Sequence, residues 1–187
     1  MNTNFSPAIM ESLMFCHNST KADGNEHGIG LDVKGHPIIQ LHGDHQSIQC
    51  LPWDIPLLEK CNTFVHSHPV NGCLSRQDIG CAIRFNCTVV AITPRKDLFW
   101  TNGKWDNELL NNIYNKAQDL FYTLRGHMLV ECDPDMMKIY DILNHLLLHK
   151  VMIDLTPKVD LHCELSVETA MEIEFIQHMM NNYSCLY

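Results

Sequence analysis

The stretch FVHSHPVNGCLSRQD, Phe64 to Asp78, changes hydrophobic period part-way along, and this restricts the folds open to the chain. The segment NTFVHSH reads as a strand that Pro69 and Asn71-Gly72 break. From Ser75 onward, SRQDIGCAIRF places Ile79, Ala82 and Ile83 at the i, i+3, i+4 spacing of a helix with one buried face. Ser75 and Asp78 supply a capping signature at its start. A second β-branched run, CTVVAIT, follows directly. Strand, turn, helix and strand in that order predict a mixed α/β architecture.

The flanking sequence extends this reading. Ser6 and Pro7 start a helix expected to end near Phe15, with HNSTKADGN as a loop. EHGIGLDV and PIIQLHG read as strands joined by a turn at KGHP, and DHQSIQC either continues the second or begins a third. DIPLLEK is a short helix, LFWTNGKW suggests a hairpin about Asn102-Gly103, and a helix is expected from about Asn107 to Leu124. After Gly126, DPDMMKIYDILNHLLLHKVM and SVETAMEIEFIQHMMNNY read as amphipathic helices separated by DLTPKVDLHCEL. The expectation is an α/β (α+β) protein: a core over residues 1–126 and a helical extension over 127–187 packed on it. The apolar stripes of that extension (Met137, Tyr140, Ile142, Leu143, Leu146 and Leu147, then Ala170, Ile173, Ile176 and Met180) read as core packing. They are also candidates for a homodimer or partner surface.

Charge and composition exclude several functions. With 13 basic against 22 acidic residues, net charge −9, the chain lacks the Lys/Arg excess that drives phosphate-backbone binding, so no nucleic-acid partner is expected. No apolar run approaches the roughly 18 residues of a membrane span, and MNTNFSPAIMESLMF lacks the features of a signal peptide. The nine cysteines include no CxxC pair, which suits a reduced, cytoplasmic protein. The spacings of His145, His149, His162 and His178, and of His42 and His45, are not diagnostic of a metal site, and these read as solvated side chains.

One group of residues carries chemistry. His66 and His68, at i and i+2 on a strand, project from the same face, where two imidazoles can converge on one ion. Asp78, in the first turn of the next helix, is a third candidate ligand and equally a capping residue. Two histidines and an aspartate leave a fourth position open, the arrangement of a catalytic rather than a structural zinc. Such a site needs a base that is not a ligand. Glu26, opening the strand before His66, is the candidate, although an exposed strand-end acid is the blander reading; Glu11 and Glu59 are poorer rivals.

Together, Glu26, HSHP at His66 to Pro69 and SRQD at Ser75 to Asp78 resemble the JAMM (JAB1/MPN/Mov34) metalloprotease family over roughly Ser6 to Leu124. Residues 69–74 make the loop between His68 and Ser75 one residue shorter than the family's commonest spacing, and Gly72 can absorb the tighter turn. The resemblance implies an MPN-like mixed central sheet flanked by helices, with Zn2+ held by His66, His68 and Asp78. It also implies Glu26 as the general base and Ser75 as an oxyanion donor. The implied substrate is a protein with an extended, ubiquitin-like C-terminal tail, cut at an amide or isopeptide bond, as in a standalone bacterial or phage member. Two alternatives differ in class: a non-catalytic MPN-like scaffold, whose relatives generally lack metal residues, and a nucleic-acid-associated relative, which the acidic balance opposes.

Overall fold

The computed structural model describes residues 5–104, 108, 111, 115, 160–171 and 174. Its centre is a six-stranded mixed sheet in the order β2-β1-β3-β4-β5-β6. The strands are β1 (His27–Leu31), β2 (Pro37–His42), β3 (Thr63–Ser67), β4 (Thr88–Ile92), β5 (Leu98–Thr101) and β6 (His162–Glu164). The helices given bounds among the described residues are α1 (Pro7–Asp23), α2 (Ile55–Leu58) and α3 (Arg76–Phe85). Only β3 and β4 run parallel, because α3 carries the chain from the end of one to the start of the other. The other neighbouring pairs are antiparallel.

Alternation along the strands sorts the core onto two faces. Leu13 and Cys16 of α1 pack with Ile29, Leu31, Val65, Val90, Ile92 and Leu98 on one side. On the other, Leu58 of α2 and Ile79 and Ala82 of α3 pack with Leu41, Phe64, Val89, Ala91 and Phe99. All five residues of β3 are buried. Thr63, Val65 and Ser67 therefore face α1, while Phe64 and His66 face the α3 side.

Helix α1 is longer than expected. It ends not at Phe15 but at Asp23, and most of the segment read as a loop is helical. The polar look of HNSTKAD was misleading, since no glycine or proline interrupts the helix between Pro7 and Gly24. Ser12, Leu13, Cys16, His17 and Thr20 keep one face buried, and Gly24, at φ 77°, ends the helix by returning its N–H to the Thr20 carbonyl.

Two further expectations fail. DHQSIQC is neither a continuation of β2 nor a new strand; Asp44 Oδ1 accepts from the N–H groups of Gln46 and Ser47 and fixes a turn. The hairpin about Asn102-Gly103 is absent among the described residues, and the tight reversal lies earlier, at residues 93–97, where Lys96 adopts φ 66°. Beyond that turn β5 pairs with β4 on one side and with β6 on the other. Strand β6 lies within DLTPKVDLHCEL, so part of the segment read as a helical extension belongs to the sheet itself.

Asp97 anchors this junction. Its carboxylate is fully buried and accepts from Thr93 Oγ1 (3.2 Å), the Ser166 N–H (2.6 Å) and Thr169 Oγ1 (2.8 Å). Ser166 in turn accepts from the Thr169 N–H, as an N-cap does, and residues 167–171 are helical. Of the expected helix over 107–124, residues 108, 111 and 115 are described and each is helical; the rest of it and the bulk of the two C-terminal helices, with most of their apolar stripes and with His145, His149 and His178, lie outside the described residues. No described helix is long and apolar enough to cross a membrane.

Candidate metal centre

His66 reaches the site from the α3-facing side of β3, and His68 follows just past the strand's end, its N–H donating to the Ile92 carbonyl. The turn after Pro69 is held by His68 itself, whose Nδ1 lies 3.0 Å from the Gly72 carbonyl. A carbonyl only accepts, so Nδ1 carries the proton and Nε2 presents its lone pair. The tighter loop between His68 and Ser75 thereby supplies the contact that sets this tautomer.

Asp78 caps α3 and also faces the two histidines. Ser75 Oγ accepts from the Asp78 N–H at 3.1 Å, and Asp78 Oδ2 accepts from the Ser75 N–H at 2.6 Å, a complete capping box on α3. The same carboxylate faces the imidazoles, with Oδ1 3.3 Å from His66 Nε2 and Oδ2 3.5 Å from His68 Nε2. The two Nε2 atoms are 2.9 Å apart.

These three distances test whether an ion fits. Donors held about 2.0–2.1 Å from a tetrahedral centre stand about 3.3 Å from one another. The carboxylate-to-imidazole separations of 3.3 and 3.5 Å, made by different oxygens of Asp78, lie close to that value, the 2.9 Å between the nitrogens is shorter, and the donor set is one that could hold a metal ion. The His66 side chain is almost fully buried; its Nε2 points into the cluster, and its Nδ1 has no hydrogen-bond partner among the described residues.

Glu26 approaches from β1. The antiparallel register sets Gly28 opposite His66, and continuing it by two residues sets Glu26 across from His68 on the same face. Its backbone is fixed by exchange with β2's end, donating to the Asp44 carbonyl and accepting from the Gly43 N–H. Gly28 makes the approach possible, because a Cβ there would lie 2.5 Å from Phe64 Cζ.

The electrostatics follow from this crowding. Burial pushes the Glu26 carboxyl above its ordinary value, against the opposing pull of the His66 and His68 rings. Burial also pushes Asp78 up, but the same two rings outweigh it and hold that carboxyl well below the usual range. For His68, burial favours the neutral ring; hydrogen bonding and charge from Asp78, with Glu26 and the Gly72 carbonyl, more than reverse this. The arrangement thus pairs one firmly ionised carboxylate with one that holds its proton more readily.

All five expected residues, Glu26, His66, His68, Ser75 and Asp78, line one open cleft of about 870 Å3. Residues 45–50, Arg84 and Phe85 also line it. The sequence reading missed the part of the lining that residues 45–50 supply, since that segment carries no motif and was read as strand. Exposed Val70 also lines the cleft, and exposed Leu51 and Trp53 are close in sequence to the lining residues Cys50 and Ile55. Comparison with known proteins finds no matching family model, no matching curated protein and no matching solved structure.

Proposed function

We propose that the chain is a JAMM-like, zinc-dependent hydrolase that cuts an amide or isopeptide bond at the extended C-terminal tail of a ubiquitin-like or similar small protein. The observation that carries this reading is the convergence of His66 Nε2, His68 Nε2 and an Asp78 carboxylate at ion-binding separations, in a cleft that Glu26 and Ser75 also line.

His66, His68 and Asp78 would hold the zinc. When bound, zinc would polarise the scissile carbonyl and acidify water at its open position. The remaining work falls to this chain's side chains. Glu26, just before β1 and outside the ligand set, takes a proton on its carboxylate and returns it to the leaving amine; its raised pKa suits a group that must hold the proton between those events. Ser75 Oγ accepts from the Asp78 N–H, which leaves its own proton to donate to the oxyanion. The open cleft suits an extended peptide, and the exposed apolar groups Val70, Leu51 and Trp53 suit the body of the tagged protein.

Elemental analysis of the purified protein, together with a panel of linear and isopeptide-linked ubiquitin-like substrates, tests this reading. The expected result is zinc that is lost in His68→Ala, and hydrolysis that is lost in Glu26→Gln while the zinc stays. Wild-type protein whose metal content His68→Ala leaves unchanged would sink the catalytic reading and favour a scaffold whose cleft holds no metal.

A further inference from the structure

A second group of ligating side chains lies on the other face of the sheet. His27 opens β1 and His42 ends β2, and the two are directly paired across the strands. Directly opposed residues share a face, and His27 alternates with Glu26 and Gly28, so this pair faces the α1 side. Their rings lie 4.7 Å apart between centroids. Asp23, the last residue of α1, completes the set from above.

The local sequence explains why these three meet. Gly24 turns the chain in the left-handed region directly after the helix, and Asp23 Oδ1 accepts from the Asn25 N–H at 2.9 Å. That bond fixes the carboxylate and leaves Oδ2 directed at the histidines, 2.9 Å from His27 Nε2 and 3.3 Å from His42 Nε2. Both rings present the same nitrogen to the same oxygen, and the three donor atoms lie within 4.8 Å of one another. The two carboxylate-to-imidazole separations fall in the range that ligands of one small ion require. The position is also accessible: the His27 side chain is 11% exposed, that of Asp23 39% and that of His42 57%, so the rigid ligand is buried while the others open to solvent.

We propose that Asp23, His27 and His42 form a second binding site for a divalent transition-metal ion, separate from the cleft and with its remaining coordination open to solvent. Two imidazoles and one carboxylate suit zinc, copper(II) or nickel(II) rather than the all-oxygen preference of calcium or magnesium. The ion ties the end of α1 to the β1–β2 hairpin at the residue next to Glu26. Its role is to brace the strand end that carries the cleft's carboxylate. This inference does not rest on the hydrolase reading, because no ligand is shared between the two sites.

Equilibrium dialysis against zinc chloride, followed by elemental analysis, tests it on four chains. The expected result is two zinc ions per wild-type chain, one in His42→Ala, one in His68→Ala and none in the double variant. His42 is largely exposed, so its loss is compatible with folding; Asp23→Ala supplies a second, independent removal. In the His68→Ala background, added zinc raises the melting temperature, and His42→Ala abolishes that rise. The proposal is overturned if His42→Ala and Asp23→Ala bind as much zinc as wild type, leaving only a hydrogen-bonded cluster. It is equally overturned if wild type holds just the ion that His68→Ala loses, a result that leaves the cleft site standing.

Discussion

Glu26 carries a cost that the fold accepts for the sake of the cleft. Its folded pKa is raised, chiefly by burial, so the folded chain retains a proton that the unfolded chain has already released. Stability therefore falls as pH climbs from the unfolded carboxyl value, about 4.3, through the folded one. In metal-free protein, Glu26→Gln is expected to melt higher than wild type at neutral pH, with the difference vanishing in acid; melting curves across that range decide the point. The acidic limb of kcat/KM is expected above the ordinary carboxylate range, because the base must be ionised to act. Ser75 and Asp78 separate capping from ligation. Ser75→Ala is expected to cost about 1 kcal/mol of stability and to leave zinc affinity intact. Asp78→Ala loses a similar amount together with the metal, and denaturant titration paired with metal analysis tells them apart. The His66, His68 and Asp78 set was legible because all three sit within one strand, turn and helix start. Glu26 was only a candidate on its strand position, with an exposed acid as the blander reading, since β1–β3 pairing brings it in from 40 residues earlier in the chain (66 − 26 = 40). The set formed by Asp23, His27 and His42 was not legible, because it needs a helix end and a strand register that no local spacing encodes.

At the level of elements, periodicity served well where it was strong and poorly where polar residues hid a structural role. Strands β3 and β4 and helix α3 were read from their apolar spacing. The last two turns of α1 were missed because its buried face there is His17 and Thr20, and Thr20 is bonded to Ser67 across the α1–β3 interface rather than exposed. Strand β6 was missed because HCE has only three residues and no alternation, and only the edge of β5 makes it a strand. Asp97 shows how that edge is secured. Its substitution by Ala removes the acceptor of Ser166 and Thr169 together and is expected to cost about 3 kcal/mol, since the donors left behind are partly or wholly buried. Equilibrium urea unfolding measures the loss; a cost under about 0.5 kcal/mol would mean that other contacts hold the segment.

Taken as a whole, the molecule separates its tasks by sheet face. One face lines the cleft, and the other packs α1 and ends in the second histidine pair. The sheet itself is assembled from distant parts of the chain. Its first five strands are complete by residue 101, whereas the sixth arrives only at residues 162–164. A chain ended at residue 159 is expected to leave the β5 edge unpaired and Phe99 partly uncovered, and to self-associate in gel filtration while the intact chain does not.

That separation has a consequence for how the protein is made. Synthesis runs from the N-terminus, and at about 5–20 residues per second the interval between finishing β5 and finishing β6 lasts several seconds. During it, a nascent chain that already holds the full cleft-lining set from Glu26 to Val89 still presents an open backbone edge at Leu98–Thr101. On the ribosome, His66, His68 and Asp78 come together before the sheet is closed, so under the proposed function metal capture precedes closure, while the chain still depends on a helper, or on speed, to keep its edge from pairing with another copy.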